Sequence, residues 1–226
     1  MKYMGSKNRI TRQLLQVMLP ERGHRPWVEP FVGGANMIDK VGGQRYGNDI
    51  NAYLIAFLEA VRDGWTPPTE LSHEKYQEIK ADKDAFPPEL VGFAGFPCSF
   101  RGRWFGGYAR GGGRNFAREG SRNAAKQYKN LRGIKFSVVD YRALGMPESS
   151  FIYCDPPYAN TKKYGVSFDS DIFWQWCRDK AGQGHKIFVS EYAAPGDFDC
   201  VFEQPVKSSM PIGEHSQATE RLFRLG

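Results

Sequence analysis

The run FIYCDPPYAN, residues 151–160, places a carboxylate, two prolines and a tyrosine directly behind four apolar residues. Phe151, Ile152, Tyr153 and Cys154 have the β-branched and aromatic content of a short buried strand, and a proline, lacking an N–H, cannot continue its ladder. The pattern therefore predicts a strand that stops near Asp155. Pro156 and Pro157 each fix φ near about −65°, so the turn loses little entropy on ordering and holds Asp155 and Tyr158 in a nearly constant relation. A plain strand-ending turn with a capping aspartate would use the same four letters. Two further acids stand at the exits of expected strands: Glu29 in PWVEPFVGG, just ahead of Gly33-Gly34, and Asp49 in QRYGNDI. Glycines let a backbone approach a ligand closely, and an acid at the end of the next strand, 16 residues past Gly33, is placed to accept both hydroxyls of a ribose. EPFVGGAN lacks the GxGxxG dinucleotide fingerprint, and an acid at the first strand end would repel a pyrophosphate. A carboxylate there suits a cation such as an ammonium or a sulfonium.

The surrounding pattern supplies the elements that position these residues. Ile10, Leu14, Val17 and Met18 recur at helical spacing and predict a helix that closes before Pro20. PWVEPF reads as a strand, ANMIDKVGG as a short helix after the glycine turn, QRYGNDI as a second strand, and NAYLIAFLEAVRDG as a helix capped by Asn51 and closed by Gly64. Strand, glycine turn, helix, strand, helix is the order of a parallel sheet with helices on its faces. From Trp65 to about Gly133 that alternation dissolves. It returns with strands over IKFSVVDYRAL and SFIYCDPPY, a helix over DIFWQWCRDKAG, a strand over HKIFVSEY and an edge or hairpin strand in ATERLFRLG. The expectation is an α/β domain formed by residues 1–64 and 134–226 and interrupted by an insertion, residues 65–133. Its acidic strand ends should share one edge, where ligands of open α/β sheets bind.

The chain's 226 residues, 41% of them hydrophobic, can fill a real core. The N-terminal MKYMGSKNRI lacks the apolar stretch of a secretory signal, and no run reaches the length of roughly 18 apolar residues needed for a membrane span; the expectation is a soluble, cytoplasmic protein without a membrane partner. Cys98, Cys154, Cys177 and Cys200 form no CxxC pair and the four histidines show no ligand spacing, so neither disulfides nor a metal are expected. The net charge of +6 is unevenly spread. Between Arg101 and Lys135 ten basic residues face a single acid, Glu119, a window of +9 that leaves the remainder at −3. Such asymmetry points to a polyanion, nucleic acid first, and the interleaved Trp104, Phe105, Tyr108 and Phe116 argue against a merely solvated loop.

MKYMGSK, EPFVGG, NDIN, CSFRGRWFGGYAR and DPPY, in that order, resemble the Dam-like (D12 class) adenine-N6 DNA methyltransferases, especially compact phage-type members, which serve restriction-modification or regulation. The resemblance implies a Rossmann-like sheet with an inserted target-recognition region, S-adenosylmethionine as cofactor with S-adenosylhomocysteine as product, and double-stranded DNA as partner to a monomer or weak dimer. It places Tyr3 and Lys7 at the methionine end of the cofactor, with Glu29, Pro30, Phe31, Gly33 and Gly34 in the glycine motif. Asp49 falls on the ribose, and Asp140 and Tyr141 beside the cofactor adenine. Asp155, Pro156, Pro157 and Tyr158 match the catalytic motif, with Asp155 also counted at the cofactor pocket. The resemblance further implies that Asp155 and the Pro156 carbonyl accept the two N6 hydrogens of a flipped-out adenine while Tyr158 stacks on its ring. In the basic segment Arg101, Arg103, Trp104, Arg110, Arg114, Arg118 and Arg122 are the candidate DNA contacts.

Other readings compete. A cytosine-N4 DNA methyltransferase would use nearly the same turn, though more often with serine in place of Asp155. An RNA or protein-glutamine methyltransferase could share an xPPY turn, the latter disfavoured by the basic insertion. A catalytically inactive DNA-binding relative would keep the fold alone.

Overall fold

The computed structural model describes residues 1–157, 168–207 and 217–226. Along the chain lie α1 (Thr11–Arg22), β1 (Trp27–Glu29), β2 (Arg45–Asn48), α2 (Ala52–Arg62), α3 (His73–Ala81), α4 (Pro88–Gly95), α5 (Phe116–Leu131), β3 (Ile134–Ser137), β4 (Phe151–Cys154), α6 (Ser170–Gly182), β5 (Lys186–Glu191), β6 (Phe198–Lys207) and β7 (Gln217–Leu225). They divide into two compact units, one of Met1–Thr11 with Val32–Leu144 and one of Arg12–Phe31 with Gly145–Gly226.

In the first unit β2 and β3 pair in parallel from Arg45↔Ile134 to Asn48↔Ser137. A parallel pair requires a crossover, and here α2, α3, α4 and α5 all lie within it, so the whole 65–133 insertion belongs to that connection. Asn51 caps α2 by accepting from the Leu54 N–H at 3.0 Å. Leu54, Ile55, Phe57, Leu58 and Val61 form its buried face, and Gly64 closes it at φ +101°. Phe57 meets Phe93 of α4 at 5.9 Å between ring centroids, and Trp65 meets both rings edge-on. These contacts hold the insertion to the helix that precedes it.

The second unit is an α/β layer with strand order β1-β4-β5-β7-β6. β1, β4 and β5 are parallel, and the β6–β7 hairpin returns antiparallel beside β5. Every residue of β4 is buried, as expected for a central parallel strand. Phe151 stacks between Trp27 and Phe188, 5.0 Å from each. On α6 Phe173, Trp174, Trp176 and Cys177 are buried. Parallel strands joined through helices, ending in a reversed hairpin, make this a Rossmann-like α/β fold.

Three elements depart from the sequence expectations. α1 does not stop before Pro20 but runs through it to Arg22. Proline's φ suits a helix, and so close to the C-terminal end its missing N–H removes one ladder bond, while Leu14 and Met18 keep the face buried. ANMIDKVGG yields only a single 3-10 turn at Ile38–Lys40, because Ala35, at φ +54°, turns the chain out of helical geometry. The stretch from Trp65 to Gly133 carries three helices. α4 opens on Pro88 and buries Val91, Phe93 and Ala94, whereas the signals of α3 and α5 were polar: Ser72 and Asn115 cap them, and the buried side of α5 is lined by Ala117, Gly120, Ser121, Ala124, Gln127 and Leu131, of which only Leu131 is a large apolar residue.

Candidate active site

At the exit of β2 each residue of Asn48-Asp49-Ile50-Asn51 has a separate task. Asn48, 1% exposed, donates from Nδ2 to the Val139 carbonyl at 2.9 Å, and its Oδ1 accepts from the Val139 N–H at 3.1 Å and the Ser137 hydroxyl at 2.9 Å. It ties the loop after β3 to the end of β2. The Asp49 carboxylate accepts from the backbone N–H groups of Gly33 at 3.2 Å and Asn51 at 3.0 Å. Burial pushes this carboxyl up to about 6, against the opposing pull of the Asn51, Gly33 and Ile50 amides. Each oxygen retains lone pairs for further donors. Ile50, 62% exposed, Val138 and Val139 present apolar surface close in sequence to Asp49 and Asp140. Sequence reading passed over Asn48, Ile50 and the valines, since an asparagine and aliphatic residues near strand ends carry no chemical signal by themselves.

Gly33 has φ +48°, and a Cβ there would come within 2.8 Å of the Tyr3 ring; one on Gly34 would meet Tyr3 Cβ at 2.8 Å. The close approach that these glycines permit is therefore made by Tyr3. Its ring also stacks on Phe96 at 5.3 Å. The N-terminal segment is fixed by Asn36, whose Nδ2 donates to the Met1 carbonyl at 2.9 Å and to Ser6 Oγ at 2.8 Å, and by Met4 N–H on the Gly102 carbonyl at 3.2 Å. Lys7 is buried. Asp140 accepts from its own neighbour Arg142, whose guanidinium donates at 2.8 and 2.7 Å and holds the carboxyl below its usual range. Tyr141 opens the 3-10 turn that follows.

In the second unit, Glu29 at the end of β1 is 2% exposed and accepts from Trp27 Nε1 at 2.8 Å. Pro30 is buried, and half-buried Phe31 packs edge-on to Phe168 at 6.0 Å and Phe173 at 5.9 Å. Asp155 leaves β4 one residue past the Cys154↔Val189 pair, level with Ser190. The Tyr153 hydroxyl and Ser190 Oγ lie 2.9 Å apart and buried. Burial first, then the charges of Asp155 and Glu29, keep the Tyr153 phenol far above its usual range, so it stays protonated. Asp155 thus emerges beside a fixed hydroxyl pair, with Pro156 buried behind it. Tyr158 lies outside the described residues. Ser190 is a polar contributor that sequence reading did not single out.

The candidate DNA contacts fall into distinct settings. Ser99 and Tyr108 form an isolated antiparallel bridge that closes a short loop. On it Arg101 is exposed, 5.3 Å from the exposed Phe100 ring, and Arg103 lies against Gly106. Trp104 instead packs inward against Phe96 at 4.9 Å, Phe105 at 4.7 Å and Tyr53 at 5.8 Å. Arg110 is exposed, Arg114 is held by Glu119, and Arg118 and Arg122 stand on the outer face of α5. A cavity of about 400 Å³ in the insertion is lined by Tyr108, Arg110, Arg114 and Asn115, among others, and by none of the candidate catalytic or cofactor residues.

Residues 3–86 match the sequence model of a family described as D12 class N6 adenine-specific DNA methyltransferase. That span takes in Tyr3, Lys7, the EPFVGG turn and NDIN, agrees with the resemblance read from the motifs, and supports methyl transfer as the activity. A search of curated proteins finds no match. Among solved structures, TrmN from Thermus thermophilus aligns with a TM-score of 0.43 at 13% identity over 98% of this chain, which spans 49% of that one. The tRNA (m1A58) methyltransferase TrmI from Aquifex aeolicus aligns with a TM-score of 0.42 at 9% identity, over 96% of this chain and 68% of its own. Alignments this loose do not bear on the substrate. No described helix is long and apolar enough to cross a membrane.

Proposed function

We propose that this protein is a site-specific DNA methyltransferase that transfers the methyl group of S-adenosylmethionine to N6 of an adenine. The observation that carries the reading is the Asp155-Pro156-Pro157 turn at the end of fully buried β4, beside the Tyr153–Ser190 hydroxyl pair. The lone pair of an exocyclic adenine nitrogen is drawn into the ring, which makes the amine a weak nucleophile. With one N6 hydrogen donated to the Asp155 carboxylate and the other to the Pro156 carbonyl, the nitrogen is oriented and its lone pair is freed. The rigid turn matters because small misplacement of reacting atoms costs large factors in rate. Reaching so recessed a turn requires the base to leave its stack, and Tyr158 then supports its ring.

The donor set suits the cofactor. Asp49, still able to accept two donors, takes the ribose hydroxyls; Ile50 and Val139 offer apolar surface to an adenine; Glu29 provides a buried carboxylate for a cationic methionine end. Tyr3 and Lys7 are assigned to the closing of that end, and Asp140 and Tyr141 to the side of the cofactor adenine. When bound, S-adenosylmethionine supplies an electrophilic methyl group on a sulfonium. A methylated amine is acidic enough that Asp155 need not be a strong base.

The test is to incubate the purified protein with duplex DNA and methyl-labelled S-adenosylmethionine, digest the DNA and identify the nucleoside. Label in N6-methyladenosine is expected. Label in N4-methylcytosine, or transfer to RNA alone, overturns the substrate assignment, and no transfer to any nucleic acid leaves the inactive relative.

A further inference from the structure

The outer face of α5 carries charge of a single sign. At about 100° per residue, Arg118, Arg122, Lys126 and Lys129 fall within a sector of about 80° and extend over about 16 Å of helix. All four are exposed, and the buried residues of α5 lie on the opposite side. On α3 and α6 exposed charges of both signs occur and ion pairs form: Lys75 with Glu78 at 2.9 Å, and Arg178 with Asp197 at 2.6 Å. The only acid of α5, Glu119, is gripped by Arg114 through two bonds of 2.7 and 2.6 Å. Arg118 reaches Glu70 only at 3.6 Å. Among the described residues, no carboxylate lies within ion-pairing distance of Arg122, Lys126 or Lys129. Like charges four residues apart weaken a helix, and solubility alone would be met by a mixed face.

We infer that this stripe lies along the phosphate backbone of DNA, with Lys126 and Lys129 sharing the contact with Arg118 and Arg122, while Arg114 stays committed to Glu119. A duplex carries one negative charge per about 1.7 Å of its axis, so a stripe of this length can engage several phosphates at once. The partner assignment rests on the proposed DNA methyltransferase activity; the placement of the stripe rests on the helix.

The combined variant Arg122→Gln, Lys126→Gln, Lys129→Gln keeps good helix formers at exposed positions, and thermal melting checks that it folds. Its affinity for a duplex oligonucleotide at low salt should fall at least tenfold, in line with the roughly 2.7 lost from the slope of log affinity against log salt. Lys75→Gln with Lys80→Gln, on α3, should leave the slope unchanged. Wild-type affinity and slope in the folded triple variant would overturn the stripe. If the wild-type protein methylates DNA in that case, the activity stands and only the stripe falls. If it transfers no methyl yet loses salt dependence in the triple variant, the stripe stands and the activity falls. Tighter binding of a duplex RNA of the same sequence, with the same loss of slope, overturns DNA as the occupant.

Discussion

Asp49 and Asp155 both sit just past the end of a parallel strand, and they are held by opposite means. Asp155 is fixed covalently: two prolines set the backbone behind it, whatever lies around them. Asp49 is fixed by a cage of backbone amides from Gly33 and Asn51, with Asn48 pinning the neighbouring loop. The first device survives loss of its neighbours. The second depends on them and encloses the carboxylate enough to raise its pKa to about 6. Rigidity at the Asp155 turn and an electrostatically costly cage around Asp49 suit the two proposed roles, in which one aims a reacting atom and the other favours incoming hydroxyl donors.

The hardest break in this comparison is Asp155→Ala. Turnover should fall by roughly a hundredfold to a thousandfold or more, as when a preorganised hydrogen-bonding group is removed from a reacting centre, while affinity for S-adenosylhomocysteine stays within a few-fold. Turnover near wild type would remove Asp155 from the mechanism. The mirror image is Asp49→Ala, for which calorimetry should show cofactor affinity reduced by about 1.5–3 kcal/mol, the worth of a hydrogen bond to a charged acceptor. DNA affinity should barely move.

A third experiment uses pH. Because the ribose hydroxyls need an ionised acceptor, S-adenosylhomocysteine affinity should be flat above about pH 7 and decline toward a tenfold loss per pH unit below about 6. A flat profile down to pH 5 would mean that Asp49 does not bind the ribose as a carboxylate. The same pKa governs the unliganded fold. A folded value of about 6 against an ordinary 3.8 makes the folded state the tighter proton binder between them. The stabilisation by the protonated carboxyl is therefore complete below about pH 3.8 and lost as pH rises through 6, a change of up to about 3 kcal/mol. Relative to wild type, the melting temperature of Asp49→Asn without cofactor should improve as pH is raised from 4 to 7.5.

The smallest expected effect probes the cage alone. Asn48→Ala removes the tie between β2 and Val139 without touching the carboxylate, and should weaken binding of adenosine and S-adenosylhomocysteine by a similar factor of roughly five- to tenfold, about 1–1.4 kcal/mol. Loss confined to S-adenosylhomocysteine would place the effect at the methionine end and break the account of Asn48.

The contrast also explains what could be read in advance. Pro156-Pro157 behind an apolar run and a glycine pair behind another are local instructions, because proline and glycine act on their own φ angles; so is the Asn51 cap of α2. The basic bias of residues 101–135 was equally plain. What the letters did not show was that part of this bias would be carried by a helix. The buried side of α5 is made largely of alanine, glycine, serine and glutamine, and small or polar residues become core only when a neighbour packs against them. Nor could composition reveal that Trp104 turns inward onto Phe96 and Phe105, or that Tyr3 fills the space left by Gly33.

By itself the sequence determined the strand ends, the rigid Pro156-Pro157 turn, the α/β order and the sign of the charge in the insertion, because each follows from chemistry within a few adjacent residues. Tertiary structure alone decided that Asn48 clamps Val139, that burial lifts the Asp49 carboxyl, that Tyr153 and Ser190 form a hydroxyl pair beside Asp155, and that four cations of α5 share one face while Arg114 turns to Glu119. Those properties depend on distances between residues far apart in the chain or on which side of a helix is buried, and only the packed chain sets them.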